Sequence, residues 1–252
     1  MSAAPAYLMH TSARQPVSFS RGQGASLWDT EGVKYLDAIA GVAVTSLGHA
    51  NPEIAAAIAE QALRQLFDEH DWLMMIDEVQ TGLGRTGTWF GFEHAGIKPD
   101  VITLAKALGN GFPIGACLAR GKAAQLFSPG HHASTFGGNP LACRVGCTVL
   151  DIMQRDHIPQ RAAASGRRLL AALKLALGNH PEVVSVRGIG LMIGIELNGP
   201  CAELIGRARE EQRLLITVTR GNTVRLLPPL ICDDAQIDDI AARITRLLSP
   251  AA

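Results

Sequence analysis

Two short apolar runs near the middle of the chain stop abruptly on charged residues. Leu73–Ile76 ends in Asp77 and Glu78, and Val101–Leu104 ends in Ala105 and Lys106. Both include β-branched residues and are bounded by turn-rich sequence, so both are read as buried strands. A further strand is expected in Pro113–Ala119, and two short ones in Ser26–Ala38 with Glu31-Gly32 as their turn. Helical spacing links Ile54, Ile58 and Ala62 behind Asn51-Pro52, and continues through Leu66 and Phe67. It recurs at Leu141, Val145, Val149 and Ile152 behind Pro140, and over Arg161–Leu177 before Gly178-Asn179 and Pro181. The C-terminal third alternates strand-like VVSVRGIGLMIGIEL, a helix over Cys201–Gln212, strand-like LLITVTRGNTVRLLPPL and a last helix. That last helix opens on Asp233 and Gln236, a capping-box pair, and carries the stripe Ile237, Ile240, Ala241, Ile244, Leu247, Leu248. Residues 1 to about 20 are expected to be polar and flexible, and Gly41–Gly48 to be a small-residue loop.

The charged run-ends are where chemistry is expected. In parallel α/β sheets, ligands sit just beyond the carboxyl ends of the strands. Asp77 and Lys106 lie 29 positions apart at two such ends. A desolvated lysine amine can form a Schiff base with an aldehyde cofactor. A buried aspartate can hold a pyridine nitrogen protonated, and together the two suit a pyridoxal phosphate site. The plainer alternative, a solvated loop past each strand, stays open on spacing alone.

Other patterns are excluded by their context. Gly82-Leu83-Gly84-Arg85-Thr86-Gly87 spells Gly-x-Gly-x-x-Gly with Asp100 downstream. A dinucleotide site needs that motif at the strand end with a helix opening behind it. Five residues intervene here, and TWFGFEHAG has no helical stripe. His131, His132, Cys143 and Cys147 lack zinc-ligand spacing, and the two thiols are expected to be buried on a helix face. Lys plus Arg equals Asp plus Glu at 23 each, which argues against a nucleic-acid or membrane-surface binder. Five cysteines, an odd number, without a secretory pattern in MSAAPAYLMHTSARQP point to a reducing cytoplasm, and no apolar run reaches the length of a membrane span.

The literal residues narrow the reading further. IDEVQTGLGRTG, PDVITLAKALGNGFPIGA and STFGGNPLAC, in this order, resemble the class-III (ornithine-type) aminotransferases, most closely the acetylornithine and succinylornithine branch. LWDTEGVKYLDAIAGVAVTSLGHANPEI, RGIGLMIGIEL and VRLLPPL extend the resemblance over nearly the whole chain. It implies an α/β architecture, the pyridoxal-phosphate transferase fold type I, with a truncated large domain and a small C-terminal α+β domain. The expected divisions are 1–62, an N-terminal segment; 63–150, the remnant of the large domain; and 151–252, the small domain.

The resemblance also implies roles. Lys106 would carry pyridoxal 5'-phosphate and shuttle the proton, and Asp77 would hold the ring nitrogen protonated. Val79 would pack on the ring and Gln80 would bond its hydroxyl, with Glu78 counted among the cofactor-contacting residues. Thr135 would hold the phosphate of a neighbouring subunit's cofactor. Ser134 and Arg225 would contact substrate, Arg225 as a carboxylate clamp. The implied substrates are N-acetylornithine (or a similar ω-amine) and 2-oxoglutarate, and the implied assembly is a homodimer.

One departure cuts across this. In the family a long segment, about 150 residues or the size of a small domain, separates the GH-x-x-P region from the IDEVQ strand. Here Ile54–Ala62 runs straight into Leu63–Trp72. The segment holds the family's Ser-Gly-Ala phosphate loop, its ring-stacking aromatic and a glutamate gate. Losing two or three charge-assisted hydrogen bonds of about 1.5–3 kcal/mol each would weaken cofactor binding by roughly two to six decades. Exposed sheet edges are expected as well. Three readings therefore stay open: a transaminase with compromised chemistry, a non-catalytic remnant that only dimerises or pairs with a full-length subunit, and an unstable deletion product.

Overall fold

The computed structural model describes residues 17–38, 50 and 52–249. The expectations for residues 1–16 and for the Gly41–Gly48 loop lie outside them. Two compact units are present, residues 1–62 and 63–252.

In the first unit, β1 (Phe19–Gln23), β2 (Ser26–Asp29) and β3 (Lys34–Leu36) form an antiparallel sheet in that order. The predicted hairpin is β2–β3. Asp29 builds its turn: Oδ1 accepts the N–H groups of Glu31 at 2.9 Å and Val33 at 2.8 Å, and Oδ2 accepts the Tyr35 hydroxyl at 3.0 Å. Strand β1 corrects the expectation of a flexible start up to about residue 20. Its sequence, FSRGQ, has no apolar alternation to reveal it. It is held instead by its ladder with β2 and by the Arg21 guanidinium, 3.9 Å above the Trp28 ring. A single uninterrupted helix, α1 (Pro52–Glu69), follows.

The second unit contains two sheets. The first has the order β4 (Met75–Asp77), β5 (Val101–Leu104), β6 (Ala116–Ala119), with β4 parallel to β5 and β6 antiparallel to it. The second has the order β7 (Val183–Ile189), β8 (Met192–Leu197), β10 (Thr223–Leu226), β9 (Thr217–Thr219) and is antiparallel throughout. Both strand-like C-terminal stretches prove to be hairpins. The β7–β8 turn is Gly190-Leu191, and the three-residue β9–β10 loop, 220–222, puts Arg220 and Gly221 at positive φ.

Most of the core belongs to the second sheet and the helices on it. Alternate residues of β8, Ile193, Ile195 and Leu197, are buried against α3 (Ile158–Leu177) and α5 (Asp234–Leu248). Leu169, Leu173 and Leu177 of α3 meet Ile237, Ile244 and Leu247 of α5 there. The capping box at Asp233 and Gln236 forms as the sequence predicts. Between these helices the chain adds α4 (Leu204–Glu211).

The helix behind Pro140 forms where the spacing predicts, but burial departs from the sequence in two places. Helix α2 (Pro140–Arg155), capped by the Asn139 side chain on the Ala142 N–H at 2.9 Å, does not bury Leu141, Val145, Val149 and Ile152 as its main stripe. It buries Ala142, Gly146 and Met153, and Leu141 and Ile152 are exposed. The helix approaches Leu108 and Ile114 through Gly146, with Met153 buried and Val149 packed on the same cluster. Cys143 and Cys147 are exposed, contrary to their expected burial. Likewise β4 is not a buried strand but a sheet edge, with Met75 64 % exposed. Open edges are what a chain lacking the intervening segment was expected to show.

The start of this unit is tied to the first sheet by Asp100. Its Oδ2 accepts both Arg64 Nη1 of α1, at 2.8 Å, and the Met74 N–H, at 2.9 Å, and the Asp100 N–H donates to the Met74 carbonyl at 2.8 Å. Arg64 also donates to Asp68 at 2.6 Å and is almost wholly buried. Burial pushes the Asp100 carboxyl up, but the hydrogen bonds from Met74 and Arg64 outweigh it and hold the group below the usual carboxylate range. Its folded pKa is therefore below its unfolded one. The stabilisation is complete above the unfolded value and is lost as pH falls through the folded value. Asp100→Asn is expected to cost about 2–3 kcal/mol in urea denaturation at neutral pH, and to make stability less sensitive to acid below about pH 4.

Candidate active site

The parallel register pairs Met75 with Val101, Ile76 with Ile102 and Asp77 with Thr103. Both strands therefore end at the same level, and Lys106 follows Thr103 by one turn of chain. The register aligns the two residues that the sequence singled out. The Asp77 Oδ1 accepts the Val79 N–H at 2.9 Å and the Thr103 hydroxyl at 3.1 Å. Those two bonds, and then the Lys106 charge, hold its carboxyl below the usual range against a smaller opposing desolvation. Asp77 is thus an ionised acceptor at neutral pH with one oxygen committed to the scaffold.

Lys106 stands at a strained position. Its φ is +41°, in the left-handed region that non-glycine residues avoid, and it opens a 3-10 turn over Lys106–Leu108. The return of the loop requires Gly109, because a Cβ there would lie 1.9 Å from the Phe112 carbonyl oxygen. Leu108 packs with Leu83, Leu104, Met153 and Ile158 beneath the turn. The side chain of Lys106 itself is exposed and reaches into a cavity of about 670 Å³. Val79, Gln80, Arg85 and Asn110 line the same cavity, with Phe112, Ile114, Val149, Met153 and Leu230 making it largely apolar.

Arg225, on β10, joins this site from 145 positions away. Its Nη1 lies 3.4 Å from the Gln80 Oε1, and its Nε donates to the Thr217 hydroxyl at 3.2 Å. It faces a second hollow of about 310 Å³ that shares Leu227 and Pro229 with the first. Its partners are neutral, so the guanidinium fork remains suited to a carboxylate.

Four sequence candidates line neither hollow. Asp77 stands at the end of β4, outside the cavity lining and exposed rather than buried as expected. Glu78 is 2 % exposed and does not line the cavity. It accepts the N–H groups of Gly91 at 3.0 Å and Phe92 at 2.9 Å and the Thr81 hydroxyl at 2.5 Å, so its carboxylate closes the 81–92 loop. Ser134 and Thr135 lie on an exposed loop that lines neither hollow, and Ser134 Oγ caps the Gly137 N–H at 2.9 Å. Two residues in the neighbourhood of the site were not singled out. Thr103 shows no signal beyond its place in the strand. Arg85 was visible only within the rejected nucleotide motif. No group of three metal-ligating side chains occurs among the described residues, and no described helix is long and apolar enough to cross a membrane.

This architecture has close counterparts. The chain matches the family Aminotransferase class-III over residues 7–63 and 60–248. It is 48% identical over 189 residues to an acetylornithine aminotransferase of Nitrosomonas europaea, an alignment covering 75% of this chain and 48% of that protein. A relative from Methanothermobacter thermautotrophicus, also an acetylornithine aminotransferase, is 29% identical over 366 residues, spanning 92% of this chain and 94% of its own length. That alignment leaves a long stretch of the relative without counterpart here. The crystal structure of an ornithine aminotransferase from Toxoplasma gondii superposes with a TM-score of 0.70 at 22% identity, over 96% of this chain and 92% of that one. The fold is therefore that of the type-I transferases. The chain belongs to the class-III aminotransferase family. It spans about half the length of the curated relatives it matches.

The buried Glu78 carboxylate gives this region a local test. Glu78→Gln turns one acceptor oxygen into a donor facing backbone N–H groups. The expected outcome is a loss of about 2–3 kcal/mol, read by thermal melting followed by circular dichroism, with the 81–92 loop opening to proteolysis first.

Proposed function

We propose that the cavity at the ends of β4 and β5 is the site of a pyridoxal-phosphate-dependent transaminase, which moves an amino group from N-acetylornithine or a similar ω-amine to 2-oxoglutarate. The observation that carries this reading is the register of β4 on β5, which aligns the Asp77 carboxylate with the strand end leading to Lys106. The names of the relatives support the substrate pair.

The residues fit the ring end of that cofactor. The cavity is large enough for a substituted pyridine, it is mostly apolar, and one amine reaches into it. Bound there, pyridoxal phosphate supplies an electron sink for breaking the C–H bond next to the reacting nitrogen. Lys106 would hold its aldehyde carbon. Once released by the incoming amine, Lys106 would carry the proton between the two carbons that flank the transferred nitrogen. Asp77, kept ionised by Val79 and Thr103, would hold a proton on the ring nitrogen. Val79 would cover one ring face, Gln80 would bond the ring hydroxyl, and Arg225 would receive a substrate carboxylate. Ser134 is proposed as a substrate contact and Thr135 as a phosphate contact, both offered to a second copy of the chain from their exposed loop. Glu78 is proposed to act only by shaping the loop behind Gln80.

A second reading has its own support. Strand β4 is an open edge, with Trp72 and Met75 exposed beside it. A chain that only dimerises, or pairs with a full-length subunit through such surfaces, would share this geometry and lack turnover. All five cysteines are free, in keeping with a proposed cytoplasmic location.

Borohydride trapping separates the readings. The purified chain, incubated with pyridoxal phosphate and reduced, is expected to carry the label on Lys106. Lys106→Ala should abolish it, and label persisting on that variant would sink the assignment. Asp77→Asn should lower turnover by a hundredfold or more, on the order of 3 kcal/mol, without lowering protein yield. Folded wild-type chain that takes no label would favour the non-catalytic reading.

A further inference from the structure

Arg85 is used by no step above, yet it has an unusual place. Its side chain is mostly buried in the wall of the main cavity. Its Nη1 donates to two main-chain carbonyls on different elements, Leu191 at 3.0 Å and Pro228 at 2.6 Å. Leu191 is the turn between β7 and β8, and Pro228 lies just past the end of β10. The main chain returns the first link, with the Leu191 N–H donating to the Arg85 carbonyl at 3.0 Å.

Backbone contact fixes one half of this junction. A Cβ on Gly190 would lie 2.4 Å from the Thr86 carbonyl carbon, and one on Gly166 would lie 2.1 Å from the Gly190 oxygen. The 84–87 loop, the β7–β8 turn and α3 are thus in direct main-chain contact. The link to Pro228 is different in kind, because it is made by the Arg85 side chain. Pro228 lies between Arg225 and the cavity-lining residues Pro229, Leu230 and Ile231. The direct approach of Arg225 to Gln80, at 3.4 Å, is long for a hydrogen bond. The Arg225–Thr217 bond lies within the β9–β10 hairpin and ties it to nothing outside.

We propose that Arg85 is a positioning residue: by holding the Pro228 and Leu191 carbonyls together, it sets the end of β10, and with it Arg225 and the 229–231 wall, against Gln80 and Lys106. The geometric part stands by itself. The consequence for ligand binding rests on the preceding reading, in which Arg225 receives a carboxylate. A fork that must meet a carboxylate in two parallel bonds is sensitive to displacement of its strand. Burial lowers the guanidinium pKa, in keeping with a cation kept for geometry among neutral acceptors.

The test uses the full chain and the variants Arg85→Met and Arg85→Lys. Hydrogen exchange of the unliganded protein reads the junction, and calorimetric titration with glutarate, an unreactive dicarboxylate, reads Arg225. Arg85→Met is expected to speed exchange at Leu227, Leu230 and Ile231 at least tenfold, with β8 and α5 unchanged. It should weaken glutarate at least tenfold while Lys106 is still labelled in the borohydride experiment. Arg85→Lys, which retains charge and a donor but not the fork, should fall between Arg85→Met and wild type, and decides alone if Arg85→Met does not fold. Wild-type exchange at 227–231 in these variants would overturn the proposal. So would acceleration spread equally over β8 and α5, which would make Arg85 a general core residue. Wild-type protein that neither takes label on Lys106 nor binds glutarate would overturn the transaminase reading instead, and the exchange result would still decide Arg85.

Discussion

The three-residue parallel ladder between β4 and β5 is the constraint from which the site follows. Its register sets Asp77 opposite Thr103, and that pairing does two things at once. It aligns the Asp77 carboxylate with the strand end before Lys106, and it supplies one of the hydrogen bonds that keep the carboxyl ionised. A slip of one residue would turn Asp77 to the other face of the sheet and undo both. So short a ladder cannot secure its own register. The Asp100 cluster does so at the start of the strands, where Met74 and Asp100 exchange hydrogen bonds and Arg64 closes the carboxylate. At the other end, the Glu78 N–H donates to the Thr103 carbonyl while its side chain closes the following loop. The register is pinned at one end by the Asp100 carboxylate and at the other by the Glu78 main chain.

Stability within residues 63–252 is unevenly distributed. The second sheet with α3 and α5 contains nearly all the fully buried large side chains, and the first sheet rests on a five-residue cluster around Leu83 and Met153. Local opening is expected to follow that density of buried contacts. The C-terminal module is therefore the rigid body, and the strand ends with Lys106 depend on being held to it. The close glycine contacts at Gly166 and Gly190 are that attachment, and they explain why the Gly-rich stretch after β4 resembles a nucleotide motif without being one. Gly87 admits Ala163 of α3 and Gly84 the side chains of Leu230 and Met153, where a phosphate loop would admit a ligand.

What was legible in the sequence is what is encoded locally. Asp233 and Gln236 announce a cap, Asn139-Pro140 a helix start, and the abrupt ends of two apolar runs mark Asp77 and Lys106. Each signal involves residues within a few positions of one another. The errors share the opposite property. Helix α2 is legible in its apolar spacing, but that spacing does not name its buried residues, because it meets Leu108 and Ile114 through Gly146. Glu78 sits next to Asp77 in sequence and on the other side of the strand in space, since successive side chains alternate. Its partners at Gly91 and Phe92 could not be read from that spacing. Arg85 was unreadable for the same reason: both of its acceptors lie more than a hundred positions away.

The same distinction explains why the proposed site is divided as it is. Acid and amine chemistry at strand ends is compact in sequence, and residues 77–106 contain both of the groups proposed for it. Holding a phosphate is not compact. It requires several donors converging from separate segments, and the cavity here offers little of that kind. Arg85 is the cation in its wall besides Lys106, and its Nη1 is committed to two carbonyls. Thr135 lies outside, on an exposed loop. Under the proposed function, the chain carries the groups assigned to the acid and amine chemistry, and the described cavity holds few donors for a phosphate. Under that proposal, donors for the phosphate end would come from outside the described cavity, and the exposed 134–135 loop of a second copy is the proposed source.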